Sequence, residues 1–448
     1  MSSNKIDCDS FLSELKDRTP GQEAFHQAVG EVVPDILPVI NDTPEYRDAA
    51  LLRRLVEPDR VISFRVEWVD DDNCVQVNCG HRVQFNSAIG PYKGGLRFHP
   101  SVDLSILKFL GFEQTFKNAL TGLPMGGGKG GADFDPSGRS PGEIMRFCQA
   151  FMVALHHYIG PNTDVPAGDI NVGAREIGWL FGAYRRITNE FQGALTGKGE
   201  SYGGSEMRTE ATGDGVVQFL GHMLERHGKD LEGKRVAVSG AGNVATHAAE
   251  LALRRGAKVL TLSDSRGFIH DKDGLDEEKL AWVRGFKAEK DGSLEAYSKE
   301  FGASWQEGST PWGVECDVAL PCATQNELDA DDAEKLVRNG CMALAEGANM
   351  PLTPDAKKTI ADSGILFGPA KAANAGGVAV SGLEISQNQS RRSMSCEQLA
   401  EALQDIMEQI HNRCAEAGEG KDGINYSKGA NIAGLRKVAD AMLAQGTF

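Results

Sequence analysis

The chain has 448 residues, with 47 Lys and Arg against 63 Asp and Glu, a formal charge of −16. Hydrophobic residues are 41% and charged residues 25%, an ordinary globular balance that excludes wholesale disorder, and the length suits about three domains at roughly 150 residues each. An acidic surface repels nucleic acid and anionic membrane, so neither is an expected partner, and a small anion needs a local patch of opposite sign.

The nine cysteines contain no C-x-x-C pair, so their spacing predicts neither a disulfide framework nor a zinc ribbon. Lys5 is followed by no apolar run, and no stretch approaches 18 continuous apolar residues, so a reduced, soluble, cytoplasmic protein is expected. Glycine is the anomaly: 53 residues, clustered at 94–95, 126–131, 203–204, 240/242 and 376–377. Such clusters serve positive φ or close approach of a ligand to backbone, and predict loops gathered about a bound molecule, ordinary turns being the alternative.

In chain order, about Ala24 to Leu55 reads helical, punctuated by prolines. Val61 to Trp68 alternates, with Ile62, Phe64, Val66 and Trp68 apolar, as a half-buried strand does. Asp70 to Asn73 makes a solvated turn, and 75–77 with 82–85 continue a meander. Ser101 or Asp103 caps a long helix to about Leu120, and a second helix covers about Pro141 to Ile159. Glycine-rich text from 193 to 215 leads into a new domain, where strands at 235–239, 259–262, 318–320 and 342–345 alternate with helices. That pattern predicts an α/β class, a doubly wound parallel sheet covered on both faces, and the tail from Cys396 reads helical.

Gly240-Ala241-Gly242-Asn243-Val244-Ala245 is a G-x-G-x-x-A string that follows a strand and opens a helix. Gly240 makes the tight turn, and Gly242 lets the backbone approach a pyrophosphate on the positive end of the helix. The second strand ends in Ser263-Asp264-Ser265-Arg266. Asp264 suits the ribose hydroxyls of NAD, whereas the two serines and Arg266, with Lys287 and Lys290 further along, suit a 2′-phosphate. The residues alone leave that choice open.

Between Lys93 and Lys129 five cations face two carboxylates, a local +3 in an acidic chain. Gln114 and Lys117 stand at i and i+3 on one helix face, an amide beside an ammonium, as a fixed carboxylate requires. Lys93 precedes Gly94-Gly95, and Lys129 sits within Gly126 to Gly131. Like-charge repulsion and close backbone groups are expected to lower the Lys129 proton affinity into acid–base range. Asp164 and Asp169 place two carboxylates in a turn, Asp169 being suited to exchange a proton with an amine if it faces the lysines. The pair His156-His157 has no H-E-x-x-H context, and no metal is predicted.

The stretches 90–101, 111–114, 124–131, 164–169, 321–326 and 374–378 together resemble the hexameric glutamate dehydrogenase family, in its short-subunit, mostly NADP-dependent branch. The resemblance implies a substrate-binding and oligomerisation domain at 1–200, a Rossmann-like domain at 201–424, and a C-terminal helix, 425–448, returning to the first. It implies Lys129 as catalytic lysine, Asp169 as proton shuttle with Gly168 nearby, Gln114 and Lys117 on the α-carboxylate, and Lys93 and Ser381 on the distal carboxylate. Cofactor contacts would be Thr212, Gly240, Gly242, Asn243, Val244, Ser263, Asp264, Ser265, Lys287, Asn349 and Asn374, with NADP preferred to NAD. The implied reaction joins 2-oxoglutarate and ammonium to give L-glutamate, in a homohexamer whose domains close on the substrate. Two positions depart from the family pattern: Asp214 stands where a tyrosine is usual and Ala370 where a glycine is usual.

Overall fold

A computed structural model of the chain describes residues 5–289, 292–421 and 423–447. It divides into two compact units: residues 5–206, 379–399 and 430–447 form the first, and residues 207–378 and 400–429 the second. The first unit thus recovers 379–399 in addition to the C-terminal helix, a return not anticipated by a 201–424 domain.

The first unit is built on a mixed sheet: β1 (Arg60–Val69), β2 (Val75–Asn86), β3 (Tyr92–Phe98), β4 (Gly127–Ala132) and β5 (Asp164–Gly168), in the order β1-β2-β4-β3-β5. The alternation in β1 does what its sequence demands, turning Val66 and Trp68 inward. Trp68 and Phe98 then pack with Phe134, Phe147 and Phe151, and the Phe134 and Phe147 rings stack 3.8 Å apart. The outer face of the β1–β2 hairpin is the reverse: Val61, Val69, Val75 and Val77 are all exposed.

Strand β4 is the least expected element, because Gly-Gly-Lys-Gly-Gly-Ala has no intrinsic strand preference. It forms because the glycines allow close packing. A Cβ at Gly127 would collide with Thr115 on the helix Leu104–Leu120. Asp103 caps that helix by accepting from the Ile106 N–H at 2.8 Å. The helix Pro141–Leu155 carries a Ser140/Glu143 capping box, and its last expected turn is a 3₁₀ segment, His156–Tyr158. The proline-punctuated region resolves into helices Glu23–Asp42, Pro44–Asp48 and Leu51–Leu55.

The second unit holds a parallel sheet of β6 (Arg235–Val238), β7 (Lys258–Val259), β11 (Val318–Leu320), β12 (Ala343–Ala345) and β13 (Leu366–Gly368), ordered β13-β12-β11-β6-β7. The strand expected at 259–262 breaks at Leu260. Its second half, β8 (Thr261–Asp264), leaves the parallel sheet to pair antiparallel with β9 (Gly267–His270), which pairs β10 (Ser304–Glu307). Small residues at Ala237 and Ala319 let flanking helices press on the sheet. No helix among the described residues is long and apolar enough to cross a membrane.

Candidate active site

Parallel pairing of β3 with β4 and β5 puts three sequence-distant segments side by side: Leu96 lies beside Gly130 and beside Gly168. A Cβ at Gly95 would stand 3.2 Å from Lys129 Nζ, 2.8 Å from the Asp169 Cβ and 2.7 Å from the Gly168 carbonyl oxygen. The absent side chain is therefore the space in which Lys129 meets Asp169. The ammonium donates to Asp169 Oδ1 at 2.8 Å, and Arg97 Nε donates to Oδ2 at 2.7 Å.

Burial lowers the Lys129 proton affinity, the Asp169 charge opposes this, and the Arg97 and Arg82 charges add to the lowering, leaving a net shift below the ordinary lysine value. For Asp169, burial alone would raise the pKa, but Lys129 and then Arg97 hold the carboxyl well below the usual range. The lowering expected for Lys129 is thus present, with desolvation as its main cause.

Lys93 shares the Gly95 face of β3 by strand alternation and is buried. Its carbonyl accepts from Asn118 Nδ2 at 3.1 Å, and the Gln114 amide donates to Asn118 Oδ1 at 2.7 Å. Asn118 therefore links the β3 lysine to the helix bearing Gln114 and Lys117. Lys117 is half-buried, and Ser381 is buried on the helix Gly376–Ser390. Lys108 stands apart, its ammonium 4.5 Å from the centre of the Phe25 ring.

The expectation of two carboxylates in a turn is corrected. Asp164 opens β5, fully buried, and accepts from Arg82 Nε at 2.9 Å and Gln84 Nε2 at 3.0 Å. Arg82 Nη1 also donates to the Gly94 carbonyl at 3.1 Å, so this ion pair holds the sheet together beneath the site. Asp169 alone faces Lys129. Two groups of this site escape sequence reasoning, Arg97 and Arg82, and Thr196 lies against β5. The Thr196 N–H donates to Pro166 O at 3.0 Å, while its buried hydroxyl has no hydrogen-bond partner. Arg97 was visible only as one positive charge in a count, and no spacing pairs Arg82 with Asp164.

In the second unit Gly240 adopts φ +87° at the end of β6, where a Cβ would meet the Cys322 carbonyl oxygen at 3.1 Å. Gly242 precedes the helix Asn243–Arg254, whose first N–H groups receive no side-chain cap, and a Cβ at Gly242 would meet nothing within 4 Å. Asn243 is exposed and Val244 half-buried on the first turn. A turn of this shape with an uncapped helix start fits a dinucleotide pyrophosphate. Ser263 is held at the turn, accepting from Gly240 N at 2.7 Å. Asp264 accepts from Arg266 N at 2.9 Å on one oxygen and from Leu294 N at 2.7 Å on the other, with Lys287 Nζ 3.6 Å away. Ser265 and Arg266 are exposed, and Lys290 lies outside the described residues.

Asn374 donates to Asn349 Oδ1 at 3.1 Å and to Gly347 O at 3.1 Å, leaving its own buried Oδ1 without a hydrogen-bond partner, a ready acceptor for an amide. Thr212 is the second residue of the helix Ala211–Glu225, its hydroxyl against Gly377. Asp214 is pushed up to about 6, first by burial and then by Glu210. Ala370 is accommodated at the start of a short helix, its N–H donating to Glu346 at 2.7 Å. Among the described residues no group of three or more His, Cys, Asp or Glu is arranged to hold a metal ion.

Two family models match in tandem: "Glu/Leu/Phe/Val dehydrogenase, dimerisation domain" over residues 58–186, and "Glutamate/Leucine/Phenylalanine/Valine dehydrogenase" over 203–446. The chain is 58% identical to the NADP-specific glutamate dehydrogenase of Salmonella typhimurium over 440 residues, 98% of each chain. It is 52% identical to the NAD-specific glutamate dehydrogenase of Bacteroides fragilis, over 98% of this chain and 100% of that one. The solved structure of Plasmodium falciparum glutamate dehydrogenase superposes with a TM-score of 0.96 at 48% identity, covering 98% of this chain and 95% of that one. With both segments matched and more than half of the residues shared with a curated member, the chain belongs to the glutamate/leucine/phenylalanine/valine dehydrogenase family.

Proposed function

We propose that the protein catalyses reversible reductive amination of 2-oxoglutarate with ammonium and NADPH to L-glutamate. The observation that supports this most is the buried Lys129–Asp169 contact beside a second buried lysine, Lys93, in a chain of net charge −16. When bound, NADPH supplies the hydride that reduces the imine formed from the keto acid and ammonia.

Lys117 and Gln114 hold the α-carboxylate, and Lys93, Ser381 and Thr196 hold the distal one. Fixing both ends confines the reacting carbon to a productive geometry, worth several kcal/mol of entropy. Lys129, with its proton affinity lowered by burial, protonates the departing water and takes the proton back in the reverse direction. Asp169 takes a proton from ammonium and returns one to the product amine, its second oxygen held by Arg97. The Gly168 carbonyl lies where it can accept from the amine.

A family that also includes leucine, phenylalanine and valine dehydrogenases makes an apolar amino acid the competing substrate. Lys93 is a buried cation on the same strand face as Gly95, of use to a distal carboxylate and of none to an apolar side chain. NADPH consumption with ammonium and 2-oxoglutarate, against the keto acid of leucine, tests the proposal. Equal rates would refute the dicarboxylate assignment.

The coenzyme assignment to NADP is supported by the donors that surround Asp264. Both its oxygens accept protein N–H groups, so the acid is engaged, while Lys287, Ser265 and Arg266 offer donors to a 2′-phosphate. The assembly we propose is a homohexamer in the cytoplasm, supported by the exposed valine face of the β1–β2 hairpin within the segment matched as a dimerisation domain. Light scattering should give six times the chain mass of 48.1 kDa.

A further inference from the structure

The loop at 193–204 and the helix Gly376–Ser390 are joined by a fully buried ion pair: Lys198 Nζ stands 2.6 Å from Glu384 Oε1, with side-chain exposures of 1% and 0%. Glu384 receives more than the ammonium. Its Oε2 accepts from the Gly197 N–H at 2.8 Å, and its Oε1 accepts from the Lys198 N–H at 3.4 Å. Lys198 in turn donates to the Leu195 carbonyl, and Asn388, one turn beyond Glu384, donates to the Gly203 carbonyl at 2.9 Å.

This knot joins the two segments that carry Thr196 and Ser381, the side chains proposed above to hold the distal carboxylate. Thr196, with its unpartnered hydroxyl, precedes Gly197 by one residue, and its N–H is tied to Pro166 at the edge of β5. Ser381 lies three residues before Glu384, on the next turn of the same helix. A Cβ at Gly382, next to Ser381, would meet Leu123 and Met125 in the turn leading into β4, so that helix is also seated against the catalytic sheet. No charge of the knot is available to substrate: lysine and carboxylate neutralise each other, and the remaining acceptor capacity goes to loop N–H groups.

We propose that Lys198 and Glu384 are positioning residues for the distal carboxylate, fixing the Thr196 loop to the Ser381 helix so that the pocket fits a five-carbon dicarboxylate. The inference rests on the glutamate reading and deepens it. Buried ion pairs of this kind seldom add net stability over an apolar replacement, so a pair retained here points to geometry.

The test compares the double variant Lys198→Met/Glu384→Leu with wild type. The apolar pair should preserve the melting temperature while freeing the Gly197 and Lys198 N–H groups. A rise of about tenfold or more in KM for 2-oxoglutarate and for glutamate is expected, with kcat within about threefold and KM for NADPH unchanged, because small misplacement of binding groups is costly. A folded double variant with wild-type KM overturns the proposal. If the double variant does not fold, Lys198→Arg decides in its place: the larger fork keeps the charge but displaces the loop, and an unchanged KM for 2-oxoglutarate overturns the proposal equally. Lys93→Leu is the control on the underlying reading. If Lys93→Leu also leaves that KM unmoved, the dicarboxylate pocket itself is misassigned, whereas a shift in Lys93→Leu alone rejects only the positioning role.

Discussion

On the function proposed, the two units solve the same problem, binding an anionic molecule in an acidic protein, by different means. In the first unit charges are buried and compensated in sets: Lys129 with Asp169 and Arg97 at the proposed site, with Arg82–Asp164 and Lys198–Glu384 as supports around it. In the second unit the phosphate cradle we propose is backbone, a glycine turn and a helix start with no side-chain cap, and the charges near it are partly exposed. Buried charges are strong and unforgiving, since removing one leaves its partner stranded. Backbone dipoles are weaker singly and indifferent to most side-chain changes. The first arrangement suits chemistry at a fixed point, and the second suits a coenzyme that must come and go.

Substitutions in the first unit should therefore cost most. Lys129→Ala or Asp169→Asn is expected to lower kcat about a thousandfold or more, with KM for NADPH nearly unchanged. Stopped-flow or steady-state assays with 2-oxoglutarate would show it, and a loss under tenfold would erase the contrast between the units. Lys287→Ala should lower the ratio of kcat/KM for NADPH over NADH about tenfold, close to 1.4 kcal/mol, and leave kcat with saturating coenzyme intact.

A third prediction sharpens the electrostatic half of the comparison. Arg97 disfavours the protonated form of Lys129, so Arg97→Met lets that lysine keep its proton to higher pH. The ascending limb of glutamate oxidation should then move alkaline by roughly one pH unit. A limb that stays in place would mean that another group sets it.

The smallest effect is on stability. Asp214 is raised from 3.8 to about 6 in the fold, so between those values the unfolded chain loses its proton first and folding is disfavoured as pH rises. The cost is absent below 3.8 and complete above about 6. Asp214→Asn should accordingly stabilise the protein by about 1–2 kcal/mol at pH 8 and by almost nothing at pH 4, allowing for partial solvent screening. Thermal unfolding at the two pH values checks the sign.

The same contrast governs what can be read from sequence. The dinucleotide cradle was legible because its parts are contiguous: strand, Gly240, Gly242 and helix occupy one short string. The first-unit lysines were legible as a local excess of charge, and the roles proposed for them come from family resemblance. Their partners were not. Arg82 meets Asp164 across 82 positions and Lys198 meets Glu384 across 186, by sheet register and helix return rather than by any local pattern. Strand β4 was hidden for a related reason, its glycines being chosen by what lies against them. Asp164 was misplaced in a turn because Pro166 and Gly168 obscure the edge strand that contains it.

The bareness of β4 also limits how this enzyme can be re-engineered. Where Thr115 rides on Gly127 and Lys129 fills the hollow over Gly95, even a methyl group has nowhere to go. A library that randomises these glycines should return mostly dead or insoluble clones, whereas one at Thr196 and Ser381 replaces side chains and leaves the close backbone contacts of the glycines intact. New substrates for this scaffold are best sought from the loop-and-helix side, with the glycine strand left untouched.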